Sequence, residues 1–490
     1  MTDELLVGLD VGTSAVDACA FTPSGVRVAA ATVPLSVRYP GSGWAEQDAR
    51  MWTEASVVAL RHLVGRLGAS TGAVAGIGLT GQCPSITLTD DGGTPFTPGL
   101  IYQDNRATAE AAYLSATLDP IRVRRRAGMA PSSFHAAPKA MWLGAHHPEL
   151  RARRPWLAQP RDLVARRLTG EWGTDATHAG CTLLYDLTAR VWADDWVETL
   201  DLAWLRLPPI LHATASVGRL TRAGAADTGL PPGLPIVVGA ADNFCADLGL
   251  GAIAPGLLGD TSGTSTCLDL TIAHPDTDPA LSLYAHFAPA LLFANAGLNA
   301  TGATLAWAAR VFAGGDVARL EELAASAPPS TDTPLLLPYL GGGERTDAAA
   351  IGVWHGLTLA HDSARLARSV YEGLTFALRE LVDQFRVAGH PIAGVRSGGG
   401  GSRGPFWNGL KADVWSIPVR AAAEADVTAL GAAMLAGVAT GLYRGLGDAV
   451  ARGAHLGPVR APQQAHAALY AELYGRWRSL RAREMGSSHV

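Results

Sequence analysis

The chain carries the same turn twice: Asp10-Val-Gly-Thr-Ser14 near its start and Thr261-Ser-Gly-Thr-Ser265 just past its middle. Each copy stands where one apolar run (residues 5–9; 256–259) reverses into another (residues 15–21; 266–271). Short apolar runs joined by a glycine-containing reversal read as β-hairpins. Two such hairpins, half a chain apart, imply two similar lobes that each offer backbone N–H groups and hydroxyls to one phosphate chain. The pattern is that of a nucleotide clamp.

The 490 residues admit two large domains, or about three of ~150 residues each. With 48% hydrophobic residues a large core can form, which excludes wholesale disorder. A net charge of −5 leaves no nucleic-acid footprint at whole-chain level, and the arginine runs at 122–126 and 151–154 read as solvated helix faces. Lys139 and Lys411 are the only lysines, and no G-x-x-x-x-G-K-[ST] string exists. A phosphate site built on a loop lysine is therefore excluded. Five scattered cysteines (Cys19, Cys83, Cys181, Cys245, Cys267) without C-x-x-C spacing argue against a disulfide framework or a zinc site. The acidic start and Gly8 are unlike a signal peptide, and no apolar run approaches the ~20 residues of a membrane span. The expectation is a soluble cytoplasmic protein with neither nucleic acid nor membrane as partner.

Strands alternate with helices in both halves, which makes the fold α/β. A helix over about residues 48–65 presents Trp52, Ser56, Ala59, Leu60 and Leu63 as one stripe. Another, over about 362–388, is capped by Asp362 or Ser363 and stopped by Gly389, with Leu366, Val370, Leu374, Leu378, Leu381 and Phe385 as its core stripe. Residues 107–215 read as a mostly helical elaboration of the first lobe. The Pro231-Pro-Gly-Leu-Pro235 segment marks the change of lobe. The expected division is 1–234 and 235–461, with a last helix at about 462–485 returning to the first lobe.

Asp10 stands where a strand ends and a phosphate-facing turn begins. A carboxylate beside phosphate repels it unless a cation lies between, so Asp10 either holds Mg²⁺, directly or through water, or caps its own turn. Asp242 ends a buried strand, where active-site groups gather in α/β folds. There it either takes the proton of a substrate hydroxyl attacking a γ-phosphorus or caps the following helix. Ser397-Gly-Gly-Gly-Gly-Ser402, between strand and helix, is either a close backbone approach to a nucleotide or a flexible loop. Tyr102 and Asp104-Asn-Arg106 offer an aromatic face, an acceptor and a cation to a polyol, as does the Trp44, Glu46-Gln47 cluster; both are equally compatible with surface structure.

Together these strings resemble the FGGY carbohydrate kinases, and most of all their xylulokinase branch. The resemblance spans nearly the whole chain: Gly43-Trp-Ala-Glu-Gln-Asp48, Gly81-Gln82, Pro138-Lys139-Ala-Met-Trp142, Asp162, Thr169-Gly-Glu171, Ala241-Asp-Asn243, Leu337-Pro-Tyr-Leu340, Glu344-Arg-Thr346, Ala412-Asp413 and Ala429-Leu-Gly-Ala432, besides the two hairpins. Gly352-Val-Trp-His-Gly-Leu357 followed by Leu366-Ala-Arg-Ser-Val-Tyr-Glu372 is its most specific stretch, with Arg365 where an acidic or polar residue is usual.

The resemblance implies two ribonuclease-H-like lobes of the actin-like ATPase type around a central cleft, with one carboxylate from each lobe beside the bound triphosphate. It implies ATP and Mg²⁺ as cofactors, Asp242 as general base and Asp10 as the Mg²⁺-associated carboxylate. Gly12, Thr13, Ser14, Gly263, Thr264, Gly302, Gly400, Gly401 and Ser402 fall on the ATP side. Gln82, Cys83, Tyr102, Asp104, Asp242 and Asn243 fall on the sugar side. The expected partner is a small-molecule sugar or polyol, with a homodimer as a compatible assembly.

The sequence departs from this pattern at three places. Gly81-Gln82-Cys83-Pro84-Ser85 stands where the branch has Met-His-Gly after Gly-Gln, removing a histidine able to bond a sugar hydroxyl. Asp17 replaces a basic residue, and the segment after Thr346 lacks a usual proline-marked loop. The expected activity is ATP-dependent phosphorylation of a ketopentose such as D-xylulose. The alternatives are a kinase for glycerol, erythritol, ribulose or gluconate, or a non-catalytic actin-like nucleotide-binding protein.

Overall fold

In the computed structural model, residues 4–273, 281–344 and 350–485 are described, so Arg345 and Thr346 of the Glu344-Arg-Thr346 string lie outside the described residues. The chain divides into two units, the first comprising residues 1–251, 273–293 and 426–454 and the second 252–272, 294–425 and 455–490.

The first unit is built on β1 (Leu5–Val11), β2 (Ala15–Phe21), β3 (Arg27–Pro34), β4 (Val74–Gly81), β5 (Ser216–Arg219) and β6 (Pro235–Ala241). They form one sheet in the order β5-β6-β4-β1-β2-β3. β1, β2 and β3 make an antiparallel meander, whereas β4 runs parallel to β1 and β6 parallel to β4. Helix α1 (Ala49–Leu67), whose first turn is capped by the Asp48 carboxylate, lays the expected stripe of Trp52, Ser56, Ala59, Leu60 and Leu63 into the core. These side chains join Val7, Leu9, Ile77, Leu79, Leu163 and Val238. α2 (Ala136–His146) and α3 (Pro160–Thr169) belong to the long insertion between β4 and β5, and α4 (Asp242–Leu250) follows β6 directly.

The strand at 235–241, expected to open the second lobe, is instead hydrogen-bonded into the first sheet beside β4. The helix Val427–Ala439 also belongs to this unit and packs on β1, β4 and α4. That packing needs glycine. A Cβ on Gly8 would sit 1.9 Å from the Ala429 carbonyl oxygen, and one on Gly78 would sit 1.8 Å from that of Ala432.

The second unit repeats the plan. Its strands β7 (Leu257–Ser262), β8 (Thr266–Ile272), β9 (Leu292–Leu298), β12 (Gly394–Gly398) and β13 (Val419–Ala421) lie in the order β9-β8-β7-β12-β13. This matches β3-β2-β1-β4-β6 of the first unit. β7 and β8 are antiparallel, β12 is parallel to β7, and β13 is parallel to β12. The remaining elements are α5 (Thr301–Phe312), α6 (Val317–Ser326), the pair β10 (Leu335–Pro338) and β11 (Gly352–His355), α7 (Ser363–Val387), α8 (Pro405–Trp415) and α9 (Ala467–Met485).

Asp362 caps α7 by accepting the Arg365 N–H. Val370, Leu374, Leu378 and Phe385 are fully buried, whereas Leu366 and Leu381 at the edges of the stripe are half-buried. Helix α9 does not return to the first unit as expected. Its Trp477 indole donates to the Leu336 carbonyl, and its Tyr470 hydroxyl meets the buried Arg368–Glu372 pair of α7, so its apolar face is matched within the second unit.

Candidate active site

Across the first sheet Val11, Gly81 and Ala241 lie in register on β1, β4 and β6. Two strand spacings separate the outer pair, about 10 Å. Asp10 and Asp242 therefore flank the end of one intervening strand, and both belong to the first unit. The expectation of one carboxylate per lobe is corrected: a parallel β6 carries Asp242 to the same strand-end edge as Asp10.

Asp10 Oδ1 is buried without a hydrogen-bond partner among the described residues. Burial raises its pKa well above the usual carboxylate range, and the Asp242, Asp17 and Asp426 carboxylates raise it further. Asp242 opens α4, accepts the Asn243 N–H at 2.8 Å and is pushed up to about 6 by burial. The N-cap position falls on Ala241, so Asp242 is not the cap of α4 but its first residue, a carboxylate in the first turn of the helix.

The orphaned oxygen of Asp10, set among three other carboxylates, suits a divalent cation. Among the described residues no cluster of three or more His, Cys, Asp or Glu is arranged around a metal.

The turn after Asp10 is held from beneath by two glutamines. The Thr13 hydroxyl donates to Gln82 Oε1 at 3.1 Å, and Gln82 Nε2 donates to the Gly12 carbonyl at 3.2 Å and to Gln47 Oε1 at 2.8 Å. Ser85 adds a further donor to Gln82 Oε1, while Gln47 Nε2 reaches the Thr13 carbonyl at 2.7 Å and the Trp52 indole donates to Gln47 Oε1. Gln82, expected on the sugar side, is buried with its amide fully engaged, and it braces the turn that follows Asp10.

Asp104 differs from its expectation in the same way. It has no exposed surface; its carboxylate accepts the Ala45 N–H and grips the Arg106 guanidinium through both oxygens. Arg106 also pairs with Glu46 and stacks on Trp44, which clasps two loops together. Asp104 thus acts within the protein.

Tyr102 stays half-buried against Phe134, and Cys83 stays half-buried with its sulfur 3.2 Å from that of Cys181. The buried Lys139 donates to the carbonyls of Pro84, Ile101 and Phe134, pinning these three segments together, and burial lowers its pKa to about 7.

In the second unit Gly263 and Thr264 are exposed at the tip of the β7–β8 hairpin. Gly302 supports that tip from behind: its N–H donates to the Thr264 carbonyl at 3.0 Å, and a Cβ on it would lie 2.2 Å from the Gly263 carbonyl oxygen. A buried cluster fixes the base of the hairpin. Lys411 Nζ bonds Asp260, whose carboxylate also accepts the Ser262 and Ser397 hydroxyls at 2.8 Å each.

The glycine string splits by role. Gly399, at φ +78°, and Gly401 lie against Ser262, whereas a Cβ on Gly400 would meet no atom, leaving that backbone open to a ligand. Ser402 turns inward, its hydroxyl donating to the Gly399 carbonyl.

Residues 5–249 match the N-terminal domain of the FGGY family of carbohydrate kinases and residues 261–440 match its C-terminal domain. The chain belongs to the FGGY family of carbohydrate kinases. The xylulose kinase of Escherichia coli (strain K12) is 30% identical, with 89% of this chain and 90% of that protein aligned. The xylulose kinase of Staphylococcus epidermidis is 27% identical over 97% of this chain and 96% of that protein. The crystal structure of xylulose kinase from Rhodospirillum rubrum superposes with a TM-score of 0.89 at 31% identity, covering 98% of this chain and 99% of that one. The family has the actin-like ATPase fold, and the repeated strand order above is that fold's duplication. The chain is a xylulokinase-like sugar kinase.

Sequence reasoning missed one group of residues near this site. Asp175 caps the short helix Ala176–Gly180, and the Thr177 hydroxyl of that helix receives the N–H of Ala241, the residue before Asp242. The Thr174-Asp175-Ala-Thr177 string carries a capping pattern that would have pointed to it.

Proposed function

We propose that this chain transfers the γ-phosphoryl group of ATP to a hydroxyl of a ketopentose such as D-xylulose. The observation that carries this reading is the placement of Asp10 and Asp242 at one edge of the first sheet, on either side of the end of β4, one with an orphaned oxygen and one with a pKa near 6. The xylulose kinases among its relatives support the choice of sugar.

In this mechanism Asp242 accepts the proton of the sugar hydroxyl as that oxygen bonds to the γ-phosphorus and the bond to the β–γ bridging oxygen breaks, releasing ADP. Asp10 would hold Mg²⁺, which when bound neutralises charge on the phosphate oxygens. In the first unit the turn of Gly12, Thr13 and Ser14 offers its backbone N–H groups to phosphate oxygens; in the second unit the Gly263 N–H is already given to the Ser265 carbonyl, so Thr264 is the phosphate contact that hairpin offers. These groups stabilise charge without reorganising, because the Gln47–Gln82 brace and the Asp260–Lys411 cluster already fix both turns. Gly400, with neighbouring Gly401 and Ser402, receives the adenosine. Tyr102, Cys83 and Asn243 line the sugar side, where the Cys83-Pro84 substitution narrows hydroxyl recognition.

The test is ADP release measured by a coupled assay over D-xylulose, D-ribulose, erythritol, glycerol and gluconate. The reading expects the highest kcat/KM with a ketopentose and its loss in Asp242→Ala with ADP binding retained. Preference for glycerol or gluconate would reassign the sugar, and sugar-independent turnover would favour an actin-like ATPase.

A further inference from the structure

Beyond the point where β5 ends, the outer edge of β6 needs new hydrogen-bond partners. The N–H groups of Val238 and Gly239 donate to the carbonyls of Ala215 and Ala213 at 3.0 and 3.1 Å. The strand shifts register between Val237 and Ala240, with Gly239 at φ +70° and so close to β4 that a Cβ would overlap the Leu79 carbonyl. After this bulge the N–H of Ala241 turns to a side chain instead of a strand carbonyl. It donates to the Thr177 hydroxyl at 2.8 Å, and both residues are buried.

The direction of that bond is fixed. Thr177 Oγ1 gives its own proton to Asp175 Oδ2 at 2.7 Å, which leaves its lone pair for Ala241. Asp175 is locked in turn: Oδ2 accepts the Thr177 N–H at 2.8 Å, and Oδ1 faces His178 Nδ1 at 2.9 Å and Arg161 at 3.3 Å. Arg161 closes the circuit on β6 by donating to the Val238 carbonyl.

We propose that Thr177 is a positioning residue for Asp242: its hydroxyl, oriented by Asp175, anchors the backbone of Ala241 and so sets where the following carboxylate stands. The inference rests on the reading of Asp242 as the base. Ala241 has no side chain with which to cap α4, and the bulge has released it from the outer strand. Besides the pairing of Ala241 with Gly81 and the packing of α4 on the helix Val427–Ala439, this bond helps to fix the angle at which chain leaves strand for helix. A displacement near 1 Å at a reacting group can cost about 100-fold in rate.

The experiment compares Thr177→Val, Thr177→Ser, Ala241→Pro and Asp242→Asn in the full chain, measuring kcat and KM for ATP and for D-xylulose, with the preferred sugar of the panel used if it differs. Proline at 241 fits the existing φ of −62° and deletes the donor; because its Cδ would take the place of the amide hydrogen against Thr177 Oγ1, it is made together with Thr177→Ala, which leaves room for the ring. Thr177→Val and Ala241→Pro are expected to lower kcat about 10- to 100-fold with both KM values within about threefold. Thr177→Ser, which keeps the hydroxyl, is expected to stay within about threefold of the parent. If Thr177→Val fails to fold, Ala241→Pro carries the same expectation.

A folded Thr177→Val or Ala241→Pro with more than half the parental kcat overturns the proposal. So does a loss confined to KM, or one that serine fails to restore. Asp242→Asn separates the two claims. If it stays active, the base assignment falls and the proposal with it; if it is inactive while Thr177→Val is normal, only the positioning role falls.

Discussion

The Thr13 hydroxyl donates to Gln82 Oε1 at 3.1 Å, tying the phosphate-facing turn to the end of β4. The same amide holds the Gly12 carbonyl and the Gln47 side chain, so three segments distant in sequence share one polar knot. Gln82→Leu would remove the partners of the half-buried Gly12 carbonyl and Thr13 hydroxyl and one of the two donors to the buried Gln47 Oε1. Each such group costs about 1–3 kcal/mol, so a loss of about 2–4 kcal/mol is expected, together with a raised KM for ATP. Urea unfolding and steady-state kinetics check this. A raised KM for sugar with unchanged stability would return Gln82 to the sugar pocket.

The pair Asp260–Lys411 plays a comparable part under the second hairpin, with both side chains wholly buried. Lys411→Met would strand the Asp260 carboxylate, and removing one partner of a buried pair costs about 3–5 kcal/mol. Replacing both, as Asp260→Leu with Lys411→Met, should recover most of that loss, because the uncompensated charge is gone. Denaturant midpoints of the two variants decide the matter; a double variant no better than the single one would mean that the Ser262 and Ser397 hydroxyls, not the charge, dominate.

Much of this architecture was legible in the chain. The two Gly-Thr-Ser reversals gave both hairpins, and capping by Asp48 and Asp362 gave two long helices, because those signals are local. The side of the molecule on which Asp242 stands was not legible. Its strand lies far from β4 in sequence and pairs with it only through long-range register, which no local pattern encodes. Asp104 misled for a different reason. An Asp-Asn-Arg string looks the same whether its carboxylate faces a ligand or closes on its own arginine, and here it closes on Arg106. Gln82 and Thr177 show the same limit: sequence identifies a polar side chain near a site but not which of its bonds the protein already uses.

Cys83 and Cys181 stand with their sulfurs 3.2 Å apart. The contact with Cys181 raises the Cys83 pKa well above its ordinary value, and burial raises it further. Little thiolate is present at neutral pH, and the thiolate is the reactive form. Iodoacetamide should therefore label Cys83 at least about tenfold more slowly than a free thiol at about pH 7.5. Peptide mapping over time measures it; labelling at the rate of free cysteine would contradict this geometry.

Asp242 links the chemistry to stability. Burial lifts its folded pKa to about 6, against about 3.9 in an unfolded chain. Between those values the folded state binds more protons than the unfolded one, so this residue's contribution to stability falls as pH rises from about 4 to about 6 and stays low above. An asparagine at this position does not titrate. Asp242→Asn should therefore match the parent near pH 4 and exceed it above pH 6. Two pKa units correspond to about 3 kcal/mol at most, and partial solvent contact reduces the expected gain to about 1–2 kcal/mol. Melting temperatures of the two proteins should diverge by about 1–2 °C between about pH 5 and pH 7.5. The parent's kcat/KM should fall about tenfold per pH unit below about 6, where the base becomes protonated. A variant less stable than the parent near neutral pH would mean that the Asn243 N–H bond outweighs burial, and that the carboxylate serves its helix more than it strains the fold.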